Sequence, residues 1–210
     1  MRVLVGPRTD LGRDQVVAAT AAALAGPGGS VASLRDAGVR NLSRPLSQAE
    51  VALLREALRG GRPASRTRED EQGSAGERTV VGYVCRGARV GADTGGPGGF
   101  ARLIAVADHA DLTWRSPLAG PNDDLAGPRF PGMTGIYSPE TVLDRLGASE
   151  GMIVMPGVVA GVRDDGRPTA YEAEIAAAQG HAAVSSELVP VVVVAAHLGL
   201  RVAAVLVEGS

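Results

Sequence analysis

The sequence predicts an α/β fold in which a central mixed sheet is flanked by helices. Short apolar runs rich in Val, Leu and Ile alternate with Ala-rich or amphipathic stretches of helical length, the pattern of strands interleaved with helices. Gly and Pro close most of these segments. At 210 residues, one domain spanning 1–210 with a substantial core is expected.

Each element has its own warrant. Arg2 to Val5 is a short apolar run closed by Gly6-Pro7 and reads as a buried first strand. Arg13 to Ala25 is Ala-rich and reads as a helix ended by Gly26-Pro27-Gly28-Gly29. Ser47 to Leu58 is a second helix, with Ser47 as N-cap and Glu50 completing a capping box. Val51, Leu54 and Leu58 then share one face. Gly60 to Arg78 has nothing to bury and reads as a mobile segment, 60–78.

Thr79 to Val84 and Leu103 to Ala107 are strand candidates, with the glycine-rich stretch Gly91 to Gly99 between them. From Asp108 a long proline-studded loop runs past Tyr137. Pro139 starts a helix to Leu146. A strand lies within Met152 to Val162, a helix over Glu172 to Gln179 and a short strand over Ala182 to Ser185. Val189 to Leu198 reads as a helix despite its valines, because Gly199 closes it and Arg201 to Val207 makes a last strand.

The composition narrows the partners. A formal charge of −2 offers no basic footprint for nucleic acid, and aromatics at 3% offer no stacking surface for single strands. All cations are Arg, which reads as coding bias rather than function. Cys85 alone cannot form an internal disulfide or a multi-cysteine zinc site. The run from Val189 to Ala196 is too short to span a bilayer, and the N-terminus turns polar too soon for a signal peptide. A cytoplasmic protein without cofactor or metal, with no nucleic-acid or membrane partner, is expected.

Long ordered loops are uncommon and often functional. This one reads Asp108-His109-Ala110-Asp111-Leu112-Thr113-Trp114-Arg115-Ser116-Pro117-Leu118-Ala119-Gly120-Pro121-Asn122-Asp123, then Arg129-Phe130-Pro131-Gly132-Met133 and Tyr137. It resembles the "DHINL…NPL.GPND…RFP.M…Y" signature of the trimeric purine nucleoside phosphorylase family. The likeness continues through Val159-Ala160-Gly161-Val162, then Tyr171-Glu172-Ala173-Glu174-Ile175, which is similar to the family's "YAGV.GPSYET.AEI". Ser185-Ser186-Glu187-Leu188-Val189-Pro190 falls on "GMSTVP", and His197-Leu198-Gly199-Leu200-Arg201-Val202 on "RH.GLRV". Val3 to Gly12 resembles the first strand and "GSGLG" loop, and Asp93-Thr94-Gly95-Gly96 resembles "NAAGG". The first half matches less well, so a reduced N-terminal half is expected.

The departures bear on chemistry. The family's "GR.H.YEG" block, which brings an Arg and a His to phosphate, has no visible counterpart. Its phosphate-binding serine after the methionine is replaced by Glu187, and the methionine by Ser186. A carboxylate beside a phosphate dianion is unfavourable by several kcal/mol in a partly buried site. Uridine phosphorylases and methylthioadenosine nucleosidases, another branch of the superfamily, carry Met-Glu here, and that Glu holds two ribose hydroxyls. The resemblance thus implies Glu187 as hydroxyl acceptor or base; the alternative is a residue that only terminates a helix.

For the other candidates both readings stay open. Glu172 recognises an N–H donor, with Tyr171 packing on a planar ligand, or is a solvent-facing acid in a first helical turn. Phe130 reaches into a neighbouring subunit's pocket or anchors the loop. His109 contacts substrate or bonds the loop backbone. Asp93 and Thr94 open an anion cradle or a plain turn. Asp123 and Asp124 order the loop. Trp114 reads as packing or interface, and Glu208 falls one residue from where nucleosidases carry a catalytic Asp. The catalytic pair is therefore Glu187 and Glu172, with Tyr171, Ser186, Phe130, Asp93, Thr94 and His109 binding substrate. The expected function is action on a nucleoside or nucleoside-like small molecule without ordinary phosphorolysis, by a homo-oligomer with a trimer first. Two alternatives remain: a scaffold repurposed for another small-molecule reaction (cyclisation, isomerisation or hydrolysis) in specialised metabolism, and a non-catalytic binding paralogue.

Overall fold

A computed structural model describes residues 1–60, 79–90, 100–163 and 169–208. The elements in chain order are β1 (Arg2–Val5), α1 (Gln15–Ala25), β2 (Ser30–Ser33), α2 (Gln48–Arg59), β3 (Val80–Arg89), β4 (Ala101–Asp111), α3 (Pro139–Leu146), β5 (Met152–Gly161), α4 (Ala170–Ala178), β6 (Ala183–Ser185), α5 (Leu188–His197) and β7 (Arg201–Glu208). The α/β class with a mixed sheet is as the sequence predicts.

Pairing closes part of the sheet on itself. β3 runs parallel to β7, β7 antiparallel to β4, β4 parallel to β5, β5 parallel to β6, and β6 antiparallel to β3. β1 pairs parallel with β3, and β2 parallel with β1. Strand alternation sorts the core into two faces. Tyr83 and Cys85 of β3, Ile104 and Val106 of β4, and Ala204 and Leu206 of β7 join Leu54 and Leu58 of α2 and Val191 and Val192 of α5. Their neighbours Val84, Leu103, Ala105, Ala203 and Val205 meet Val17, Ala21 and Leu24 of α1 and Val142 and Leu146 of α3 on the other side.

The helix signals act as read. The hydroxyl oxygen of Ser47 accepts from the Glu50 N–H while Glu50 accepts from the Ser47 N–H. Asp14 caps α1 by accepting from Val17 N, so that helix starts two residues later than its apolar run suggests. α5 is apolar nearly all round and correspondingly buried. Each fully buried Val contributes about 1.5–3 kcal/mol, well above the fraction of a kcal/mol its branched side chain costs a helix. Gly199, at φ +68°, then ends the helix where only glycine is relaxed.

Three expectations need correction. β2 was not foreseen: Ser30–Ser33 is half polar and holds as a strand through its pairing with β1. β3 runs five residues past Val84, because β7 pairs with it as far as Gly87 and β6 pairs with Ala88 and Arg89. β4 continues to Asp111 by pairing with Val158–Gly161 across a bulge between Val106 and Asp108. Asp108 to Asp111 thus belong to a strand, and the loop begins at Leu112. Most of the expected mobile segment, 61–78, lies outside the described residues.

The loop is ordered by polar bonds rather than by a core of its own. Gln48 donates to the Ala119 carbonyl at 2.7 Å, Arg115 to the Ser43 carbonyl at 2.8 Å and Arg55 to Asp123 at 3.3 Å. Asp124 accepts from Asn122 at 2.6 Å, and the Asp123 carbonyl from Ala126 N at 2.9 Å. The buried His197 ring meets the Pro128 carbonyl through Nδ1 at 2.9 Å, pinning the loop to α5.

Candidate functional site

β3 brings together two distant segments. Its parallel partner β1 delivers Gly6, whose N–H bonds the Val84 carbonyl at 2.9 Å. Its antiparallel partner β6 delivers Ser185 to Glu187 beside Arg86, where Ser185 donates its hydroxyl to the Arg86 carbonyl at 2.9 Å. Glu187 is therefore pressed into the concave side of the loop after β1, and only 1% of it is exposed. Its Oε1 accepts from Arg8 N at 3.1 Å and its Oε2 from Arg86 N at 3.5 Å. Tyr83, fully buried, donates its hydroxyl to the Glu187 carbonyl at 3.2 Å.

Although Glu187 occupies the N-cap position of α5, its side chain caps nothing. It faces the β1 loop instead. Burial holds its carboxyl above the usual carboxylate range, outweighing the N–H groups of Arg8 and Arg86 and the charges of both guanidinium groups. Arg86 in turn ion-pairs with Asp14. The hydroxyls of Ser186 and Thr9, each 2% exposed, are buried without a partner among the described residues. This arrangement turns backbone N–H groups and two guanidinium groups toward one carboxyl, and that carboxyl belongs to the chain itself.

A second constellation lies apart from Glu187. Leu112, Trp114, Val162, Arg163, Tyr171, Glu172 and Ile175 line an open cleft of about 440 Å³. Tyr171 and Glu172 are thus together, in the first turn of α4. Glu172 accepts from Thr169 N at 2.8 Å and Thr169 Oγ1 at 3.0 Å, a capping box that holds its carboxyl below the usual range. Glu172 is therefore both a helix-capping acid and a cleft residue.

The remaining candidates are dispersed. His109 sits on β4 and meets the Tyr137 hydroxyl through Nδ1 at 2.9 Å, so its partner is a side chain rather than the loop backbone. Burial lowers its pKa against the opposing pull of Asp108 and Asp111, which favours the neutral ring. Phe130 is 87% exposed and so does not anchor the loop within this chain. Asp93 and Thr94 lie outside the described residues. Glu208 ends β7 with Arg89 at 4.0 Å. Among the described residues no group of His, Cys, Asp or Glu has metal-ligand geometry, and no helix is long and apolar enough to cross a membrane. Sequence reasoning missed Gly6, Arg8, Arg86 and Trp114. For Trp114 a signal existed: Asp111 and Thr113 are the residue types that build a side-chain-bonded turn.

Comparison with known proteins agrees with the fold. The family described as the phosphorylase superfamily matches residues 101–207. Purine nucleoside phosphorylase 1 of Bacillus subtilis (strain 168) is 30% identical over 102 residues, which are 48% of this chain and 38% of that protein. Purine nucleoside phosphorylase of Mus musculus is 34% identical over 113 residues, 48% of this chain and 37% of that one. The matched region is well under half the length of these relatives. Among solved structures, schistosoma purine nucleoside phosphorylase in complex with hypoxanthine shares the fold with a TM-score of 0.52 and 22% identity, over 61% of this chain and 47% of that one. Isoform 2 of the Schistosoma mansoni protein, in complex with cytosine and ribose-1-phosphate, gives a TM-score of 0.51 at 22% identity, over 61% and 46%.

Proposed function

The chain belongs to the phosphorylase superfamily, and from that premise we propose that it is an enzyme acting on a nucleoside-like small molecule without inorganic phosphate as co-substrate. One observation carries this reading: the Glu187 carboxylate takes the backbone N–H groups of Arg8 and Arg86. The sequence resemblance puts a phosphate-binding serine at this position. A phosphate there would lose those donors and face a like charge. Two unit charges 4 Å apart repel by about 4 kcal/mol at an effective dielectric of 20, and a dianion roughly doubles that.

Without phosphate as co-substrate, water is the nucleophile that fits. Its oxygen bonds the anomeric carbon as the glycosidic C–N bond breaks. Its proton passes to solvent through the open cleft, because Glu187 is only 1% exposed and its two oxygens are taken by the N–H groups of Arg8 and Arg86. The departing heterocycle nitrogen takes up a proton from the same solvent, so that one water is consumed and the products are the free heterocycle and the free sugar. The cleft at Tyr171 and Glu172 receives the heterocycle. Exposed Phe130 and Leu125 support assembly into a homo-oligomer, a trimer first. A second reading, binding without turnover, draws support from the near-complete burial of Glu187.

Purine nucleosides incubated with the protein, with and without phosphate, and analysed for free base test both. Base release independent of phosphate supports hydrolysis. Saturable binding without release supports the second reading. Phosphate-dependent release of base and a sugar phosphate overturns the proposal.

A further inference from the structure

Trp114 is the one non-glycine residue with positive φ among the described residues, at +54°. Left-handed backbone is costly for a bulky side chain and concentrates at functional sites. The core does not require a tryptophan here, since 81% of it is exposed. The conformation is nevertheless held from both sides. Asp111 Oδ1 accepts from Thr113 N at 2.8 Å and Thr113 Oγ1 at 2.5 Å. Thr113 Oγ1 accepts from Arg115 N at 3.2 Å, and the Thr113 carbonyl accepts from Arg163 Nε at 2.5 Å. Arg115 is itself tied to the Ser43 carbonyl at 2.8 Å.

What this turn presents is an indole on the wall of the 440 Å³ cleft. Tyr171, 71% exposed, lines the same cleft with Leu112 and Ile175. Two exposed aromatic side chains beside a mostly apolar hollow leave large π-faces in water. A planar ring entering the cleft covers both. The volume falls within the range of about 300–1,000 Å³ usual for small-molecule sites.

We propose that Trp114 is a specificity-determining residue of this cleft: the planar heterocycle of a nucleoside stacks on its indole, with Tyr171 on the far side of the ligand. The inference rests on the nucleoside reading above and assigns recognition to the heterocycle rather than the sugar. Stacking grows with overlapped area, so a bicyclic heterocycle is preferred to a monocyclic one.

The chain has a single tryptophan, so its fluorescence reports this residue alone. Inosine, guanosine and methyl riboside are titrated into the full chain while emission is followed. Affinities are measured by calorimetry for wild type, Trp114→Phe and Trp114→Gly. The purine nucleosides quench the emission and methyl riboside does not. Trp114→Gly weakens purine nucleoside binding by about ten- to a hundredfold. Its melting temperature is maintained or raised, because glycine adopts this φ without strain. Trp114→Phe retains most of the affinity. Purine nucleosides that bind without changing the emission, and equally to the glycine variant, overturn the inference and leave the nucleoside reading standing. No calorimetric binding of either nucleoside up to about 1 mM overturns both.

Discussion

Gly6→Ala is the sharpest test of the self-occupied anion site. A β-carbon at Gly6 would stand 2.5 Å from Glu187 Oε2, 3.1 Å from its Cδ and 3.2 Å from the Tyr83 hydroxyl. The first contact falls short of the ~3.5 Å optimum by about 1 Å. The carboxylate has little room to yield, because it is buried and held by the N–H groups of Arg8 and Arg86. Overpacking of this kind costs about 1–3 kcal/mol. In a protein of this size that lowers the melting temperature by roughly 2–12 °C. Glu187→Ala alone is also destabilising, by roughly 1–3 kcal/mol for each N–H it leaves unpaired. It also vacates the space the new methyl needs. In the Glu187→Ala background, Gly6→Ala should therefore cost less than about 0.5 kcal/mol, a coupling of 0.5–3 kcal/mol across the cycle. Urea or thermal unfolding of the four proteins measures it. Equal costs of Gly6→Ala in both backgrounds would show that the Glu187 carboxylate does not fill the loop's concavity.

Two further outcomes follow from the same geometry. Burial raises the folded-state pKa of Glu187 above its ordinary value of 4.5. Its favourable linkage contribution is complete below that value and is lost as pH rises through the folded-state pKa. The melting temperature of Glu187→Gln relative to wild type should therefore increase from pH 4 toward neutrality, and a gap that stays constant with pH would contradict the assignment. For the assembly, wild type should scatter light as a trimer at about 20 μM, well above the Kd of a stable oligomer, and Phe130→Ala should shift it toward monomer. Because Phe130 is exposed, the substitution should change the stability of the monomer by less than about 0.5 kcal/mol. A monomeric wild type would count against the homo-oligomer.

Local signals carried much of the fold. The Ser47–Glu50 capping box, the Gly199 stop after α5 and the Pro139 start of α3 each depend on neighbours within a few residues, and each is read directly from the chain. The loop from Leu112 to Tyr137 was visible because it lacks any helix or strand period. Where pairing decided, the sequence was silent. Ser30–Ser33 carries no continuous apolar run, and Asp108 to Asp111 is too polar to read as a strand. Both are strands because a partner supplies the hydrogen bonds.

The candidate site divides along the same line. The sequence by itself determined that a carboxylate stands where the resemblance puts a serine, and that a helix opens at Glu172. Only the tertiary structure decided what those residues face. Glu187 and Arg8 are 179 residues apart, and the bond between them exists because β1 and β6 both lie against β3. The Thr113 carbonyl beside Trp114 likewise takes its bond from Arg163, 50 residues away. Composition and periodicity report the free energy of a segment in its own local conformation. The burial of a charge and the strain in a turn are set by groups from elsewhere in the chain, which become neighbours only when the sheet is assembled.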